Sequence, residues 1–345
     1  MGYLTDLINL YVDYVTDFFG FLWTPHERLF LLYLGSAAFF AFVLYIFNKH
    51  KISGPQHEDE RGSFLRFLLP KHVWSHPSAW LDVRYFIFHH LIGHFLLFGV
   101  MAACTAWTYA LVTGGANLAE MAKLGDTQSE PSDYLIAIAY MIAFFIVGDL
   151  IGYVMHYLQH KVPILWEFHK VHHSAEVMHP MSNFREHPID NLAYHVTIGA
   201  GFGGFIGLAT NLLGYVPSMP SVLGVPLLMF LFNLVGYNLR HSHIWLRWPG
   251  VWSKIFPSPA HHHVHHSCHP SHFDKNFAFM FPLWDVLFGT YEMPEDNRDV
   301  KFGVAGMKSN EMDTCAKLYL VPFKKAFRRL KPKAKPLAKP IPPAE

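Results

Sequence analysis

The stretch Tyr134–His160, YLIAIAYMIAFFIVGDLIGYVMHYLQH, decides the fold. Tyr134–Met155 is an apolar run broken by a single acid, Asp149, and about 20 such residues suffice for a helix to cross a bilayer. Its continuation carries His156 and His160. Asp149, His156 and His160 are seven and four positions apart, so at 3.6 residues per turn they share one helix face. A membrane helix that ends in a histidine pair predicts a helical bundle with a polar site beyond one end of its crossings.

On either side, Leu29–Phe47, Tyr85–Val112, Tyr194–Val216 and Val222–Leu239 are further apolar stretches, the last two joined by GYVPSMPSVLGVP. The expected fold is all-α, a multi-pass transmembrane bundle of four to five crossings under a cytoplasmic histidine-rich helical cap holding two metals. The last two stretches are either crossings or re-entrant. Composition agrees: of 345 residues, 52% are hydrophobic and 15% charged, against about a quarter charged in soluble domains. Lys49, Lys51, Arg61, Arg66, Lys71 and Arg84 follow the first stretch, whereas Thr113–Asp133 is net acidic. The positive-inside rule then makes the former cytoplasmic, and counting crossings puts the segments after Met155 and Leu239 on the same face.

A net charge of +1 offers no footprint for nucleic acid. Cys104, Cys268 and Cys315 are isolated, which excludes a thiolate metal site and a redox dithiol. The N-terminus lacks the basic start of a cleaved signal peptide and reads as an interfacial helix. The Lys/Pro-rich tail reads as disordered, with affinity for anionic headgroups. The domain plan is an interfacial segment at 1–28, a first transmembrane hairpin at 29–133, a catalytic region at 134–295 and a basic tail at 296–345.

Three segments concentrate the histidines. DLIGYVMHYLQH supplies His156 and His160; LWEFHKVHHSAE supplies His169, His172 and His173, with Glu176 continuing the stripe; HHHVHHSCHP supplies His262, His265 and His266, with Pro257 and Pro259 before it as helix-start residues and Pro270 ending it. The i, i+3, i+4 spacing aims several imidazoles from one helix face, and neutral imidazole binds Fe, Zn, Cu and Ni. Eight histidines exceed the four ligands of one zinc and predict two metals in one site. Asp149, Glu167, Glu176, Glu186, Asp190 and Asp285 are the carboxylates available to orient the outer ring nitrogens. His261, His263 and His269 lie off the ligand stripe and read as supporting or surface residues. His89, His90 and His94 lie inside a hydrophobic helix and read as packing or channel-lining groups.

Residues 140–292 resemble the fatty acid hydroxylase/sterol desaturase superfamily of integral-membrane di-iron enzymes. The resemblance rests on DLIGYVMHYLQHKVPILWEFHKVHHS, NFREHPID, NLRHSHI, PSPAHHHVHHS and DKNFAFMFPLWDVLFGTYE, in that order. Ala278 departs from it, standing where relatives often carry glycine. The resemblance implies that the eight motif histidines bind two iron ions. It also implies a further ligand from between the last two motifs, His241 first, with His243, His187 and His195 as alternatives. It implies metal-centred O2 activation, with no separate acid or base, and hydroxylation of an unactivated C–H bond of a lipid such as a sterol, fatty acyl chain or ether lipid. Desaturation or methyl oxidation is the alternative outcome. The two electrons per turnover imply an external donor, a ferredoxin or a cytochrome b5-type protein with its reductase, since the chain offers no iron–sulfur cysteines and no haem-binding domain is read at either end.

GAGFGG at 199–204 matches a dinucleotide-binding pattern but sits in an apolar segment, where with Gly207 it reads as small-residue helix packing. A zinc-dependent membrane hydrolase is disfavoured by the absence of HExxH, and a metal transporter by ligands placed beyond the crossings. The membrane expected is a bacterial inner membrane in preference to the endoplasmic reticulum.

Overall fold

A computed structural model describes residues 2–48, 62–128, 130–295 and 300–330. The described chain is mostly helical, and its β-structure among these residues amounts to a hairpin pairing Ser221–Val222 with Val225–Pro226 and an isolated bridge between Ser267 and Phe302. The elements used below are α1 (Gly2–Phe19), α2 (Leu31–Asn48), α3 (Pro77–Phe88), α4 (Val100–Thr113), α5 (Pro131–Lys161), α6 (Pro163–His173), α7 (Pro188–Leu213), α8 (Leu227–Leu234), α9 (Pro259–His265) and α10 (Cys315–Leu330). The basic residues Lys49, Lys51 and Arg61, and the tail from residue 331, lie outside the described residues.

Among the described residues, three helical segments are long and apolar enough to cross a membrane: Pro77–Thr113, Pro131–Lys161 and Pro188–Leu213. The expected crossing at Leu29–Phe47 is α2, whose 18 residues reach about 27 Å, slightly less than the hydrocarbon core. The stretch expected at Val222–Leu239 differs more. It holds all of the β-hairpin but Ser221, and the eight-residue α8, about 12 Å long and too short to span. Tyr85–Val112 is also not one regular helix. A π-helical turn occupies His89–His94, and Gly99 at φ 80° separates Phe95–Leu97 from α4.

The long helix α5 sets the depth of the site. Pro131 stands in its first turn, and Glu130 N–H donates to Asp133 Oδ2 at 2.8 Å, satisfying an end amide. Its 31 residues extend about 46 Å, roughly 16 Å more than the hydrocarbon core, so it is long enough to cross with about three turns to spare, and His156 and His160 stand in its last two turns.

The GAGFGG segment lies in α7 and packs on α4. A Cβ on Gly199 would meet Met101 O at 2.5 Å, one on Gly203 would meet Thr105 O at 2.3 Å, and one on Gly207 would meet Val112 Cβ at 2.9 Å. Glycines at i, i+4 and i+8 therefore let the two backbones touch, as expected of small-residue packing in membranes. Elsewhere, Ala37 and Ala41 of α2 pack with Phe67, Leu239, Ile244 and Leu246, anchoring the segment that carries His241.

Candidate metal centre

Each histidine segment is positioned by a local device. Val162, extended at φ −88° and ψ 114°, ends α5 where Pro163 opens α6, so the two helices meet at a one-residue corner. Ser258 caps α9, with its hydroxyl 2.8 Å from His261 Nδ1, and Pro259 fills the first turn. Helix α9 closes at His265 with His266 as its cap, before Pro270 is reached. His241 follows a 3₁₀ turn at Tyr237–Leu239, where Ser242 Oγ donates to Leu239 O at 2.8 Å.

These devices bring nine histidines together in two groups. His156, His160, His169, His173 and His265 each offer a ring nitrogen within 4.8 Å of the others, and so do His172, His241, His262 and His266. The groups adjoin, with the rings of His173 and His266 stacked at 4.4 Å. Each triplet is divided between them. Helix α6 gives the i, i+4 pair His169 and His173 to the first group and His172 to the second. The α9 segment gives His262 and His266 to the second and His265 to the first.

The outer nitrogens are held by hydrogen bonds that turn the inner ones toward the centre. His156 Nδ1 donates to Phe277 O at 2.9 Å, His265 Nδ1 to Lys275 O at 2.8 Å and His169 Nδ1 to Asp190 Oδ2 at 2.9 Å. His241 Nδ1 lies 3.0 Å from Ser182 Oγ, which itself donates to His179 O. A proton fixed on Nδ1 leaves the Nε2 lone pair free for a metal. His262 is arranged differently. Arg240 donates to its Nδ1 at 3.2 Å, and its Nε2 lies 2.8 Å from His241 Nε2; for Nε2 to bind a cation as neutral imidazole, the ring proton must stand on Nδ1 and Arg240 must turn away from it.

Burial supports the same chemistry. It pushes His172, His173, His241, His262, His265 and His266 well below the usual imidazole range, keeping them neutral. Nε2 of His160, His169, His173 and His265, and Nδ1 of His172, are buried without a hydrogen-bond partner. Convergent neutral imidazoles with unused lone pairs fit a pair of transition-metal cations.

The candidate carboxylates take different places. Asp190 bonds a histidine of the first group directly, its other oxygen accepting from Gln159 Nε2 at 2.6 Å. Asp285 accepts the N–H groups of Phe277 and Ala278 at 2.8 and 2.9 Å, and Asp149 those of Met280 and Phe281 at 2.7 and 2.8 Å. Both therefore hold the 275–281 loop, whose carbonyls orient His156 and His265, rather than touching a histidine. Glu176 does not continue the α6 stripe, because the helix stops at His173; it lies 3.8 Å from His76, on the wall of a cavity of about 440 Å³. Glu167 pairs with Lys170 and Arg329, and Glu186 with Arg28.

The alternative ligands lie outside both groups. His187 caps α7 through Ile189 N–H and donates to Tyr319 O at 3.0 Å; His243 Nε2 donates to Phe67 O at 2.7 Å; His195 lies in α7. His261 and His263 are buried rather than superficial, and His263 Nε2 donates to Leu239 O at 3.1 Å. His269 bonds Ser271 at the surface. In the π-helical turn, His89 Nδ1 meets Tyr319 OH at 2.7 Å, and the ring of His90 stacks on that of His94.

Sequence reasoning missed the buried network beneath the second group. Arg185, fully enclosed, donates to Asp82 Oδ1 at 2.5 Å and to the carbonyl and hydroxyl of Ser78 at 2.9 and 2.8 Å. Asp82 also accepts from His179 at 3.1 Å. This lock fixes the 179–185 segment, and hence Ser182, against α3. The REHPID motif contained the arginine, but its partner is 103 residues away.

Residues 141–290 match the family model described as "Fatty acid hydroxylase". An alkylglycerol monooxygenase of Danio rerio is 31% identical over 152 residues, 44% of this chain and 30% of that protein. The ornithine lipid hydroxylase OlsE of Rhizobium tropici is 28% identical over 47% of this chain and 44% of its own. Human cholesterol 25-hydroxylase is 28% identical over 47% of this chain and 54% of its own. The chain thus spans about a third of the alkylglycerol monooxygenases it matches. No solved structure is significantly similar to it.

Proposed function

We propose that this chain, whose residues 141–290 match the fatty acid hydroxylase family model, belongs to the fatty acid hydroxylase/sterol desaturase superfamily and is a membrane-bound, O2-dependent di-iron hydroxylase of a lipid C–H bond. The observation that carries this reading is the pair of adjoining histidine groups with buried, unpartnered ring nitrogens. His156, His160, His169, His173 and His265 would hold one iron, and His172, His241, His262 and His266 the other. Iron supplies the reduction of O2 and the oxidising power that an unactivated C–H bond requires. Hydroxylation consumes the substrate C–H, O2, two electrons and two protons, and yields an alcohol and water.

The chain's own residues orient and shield. Asp190, Ser182 and the carbonyls of Phe277 and Lys275 fix the tautomers of His169, His241, His156 and His265. Trp166 and Phe277 pack on the ring of His160 at 5.0 and 4.9 Å, keeping water from the first group. The substrate class follows from three apolar helical segments beside the site and from the lipid hydroxylases among the relatives. The three cysteines are free and far apart in sequence, so electrons come from an external ferredoxin or a cytochrome b5-type protein with its reductase. The basic residues around 66–84 favour a site on the cytoplasmic face, in a bacterial inner membrane.

Metal analysis of the purified protein, with lipid mass spectrometry of cells with and without it, tests this reading. Two irons per chain and a lipid gaining one oxygen support it; a lipid losing two hydrogens indicates the desaturase outcome. One tightly held zinc, without O2 consumption under a reducing system, overturns it.

A further inference from the structure

Helix α10 carries apolar residues on two faces. Leu318, Pro322 and Ala326 are buried in the protein, and Leu318 joins Leu81, Tyr85 and Val171 of α3 and α6 in one cluster. A second stripe, Leu320, Phe323, Phe327 and Leu330, recurs at intervals of three, four and three and is 66%, 36%, 62% and 63% exposed. At 100° per residue it forms a continuous band beside the buried face. Lys317, Lys324 and Arg328 flank the other edge of the band, roughly 40–80° around the helix from Leu320.

The surroundings place this band at a bilayer boundary. Tyr319 OH bonds His89 Nδ1 in the π-helical turn of the membrane segment Pro77–Thr113, so the helix starts against a membrane-crossing element. Its other cations are engaged within the protein: Lys325 pairs with Glu311 at 2.5 Å and Arg329 with Glu167 at 2.9 Å. Lys324 and Arg328 have no acidic partner among the described residues. The sequence then continues with Lys331, Lys333, Lys335 and Lys339. An exposed apolar band bordered by lysine and arginine is the pattern of a helix lying in the interface plane, and basic residues next to it select anionic headgroups.

We propose that α10 lies in the headgroup layer of an anionic phospholipid leaflet, with Leu320, Phe327 and Leu330 immersed, Phe323 joining them to Phe168 and His187 of the protein, and Lys324 and Arg328 on the phosphates. Through Arg329 and Glu167, which also pairs with Lys170 at 2.5 Å, the helix resting on the lipid is clamped to α6.

The test places the full chain in nanodiscs of phosphatidylcholine, or of phosphatidylcholine with about 30% phosphatidylglycerol. A nitroxide on Phe327→Cys, with the three native cysteines replaced by serine, reports collisions with oxygen and with an aqueous nickel chelate. The oxygen-to-nickel ratio should rise several-fold in the anionic discs, since each basic residue near such a leaflet strengthens attachment about five-fold. The pair Lys324→Gln and Arg328→Gln should cut that rise several-fold, the lysines from 331 onward keeping the remainder. An equal ratio in both discs, or a rise undiminished by the charge removal, overturns the proposal. If the cysteine-free chain does not fold, trypsin cleavage of the unaltered chain after Lys324 and Arg328 replaces the label. Cleavage should slow several-fold in anionic discs, and equal rates overturn the proposal.

Discussion

Replacing Asp190 with asparagine removes a buried charge while preserving the side chain's size. The native carboxylate accepts from His169 Nδ1 at 2.9 Å and from Gln159 Nε2 at 2.6 Å. In Asp190→Asn the amide oxygen still accepts from His169, and Gln159 turns its amide over to accept from the new NH2. What is lost is charge assistance: a bond to an ion contributes about 1.5–3 kcal/mol and a neutral one about 0.5–1.5. The difference, about 1–1.5 kcal/mol, corresponds to roughly ten-fold weaker metal binding at the group of five. Asp190→Ala removes both acceptors, leaves Gln159 and His169 Nδ1 unpaired in the interior, and should reach the roughly 100-fold end of effects seen for such partners. Metal retention against a graded chelator, with metal counted per chain, reads the series, and Glu176→Gln serves as a control expected to change it less than about two-fold. Unaltered retention in both Asp190 variants, or equal loss in the Glu176 control, would refute the assignment of Asp190 as the residue that orients His169.

Three further outcomes are expected. Gly203→Val should prevent accumulation of folded protein, because a Cβ there meets Thr105 O at 2.3 Å, whereas Gly204→Ala, with its nearest neighbour at 3.9 Å, should leave yield and thermal midpoint unchanged; equal yields would contradict the α4–α7 packing. His265→Ala should lower metal content and abolish activity, while His263→Gln should retain metal, because His263 bonds a backbone carbonyl instead of facing either group. Burial lowers His261 and His263 to about 4, so below the unfolded value near 6.5 the unfolded chain binds more protons. Stability of the metal-free protein is then complete above about pH 6.5 and falls on acidification toward 4, by about 1.4 kcal/mol per pH unit for each residue. A chemical-denaturation midpoint that stays constant from pH 7.5 to 5 contradicts this.

Much of the site was legible in the chain because helical spacing is a local property. The histidines of α5, α6 and α9 stand where 3.6 residues per turn puts them, and the proline and serine signals before α6 and α9 mark their starts. The crossings were less legible. Val222–Leu239 has an apolar composition that suits a spanning helix, but the Gly224 turn at φ 80° and the short α8 divide it. Apolar residues buried against neighbouring helices look the same in sequence as those facing lipid, so hydropathy alone does not separate the two.

Helical spacing alone projects imidazoles in sets from three helices, and glycines at 199, 203 and 207 alone allow α7 a close approach to a neighbour. How the sets are shared depends on long-range contacts. An i, i+4 pair diverges by about 40° around a helix and the i+3 residue lies about 60° to the other side, so α6 and α9 each face two centres at once and exchange one histidine. Tertiary contact also selected His241 over His187, His195 and His243 to complete the second group, and supplied Asp190, Ser182 and two backbone carbonyls as orienting partners. These contacts join residues up to 121 positions apart, and no local periodicity encodes which of them meet.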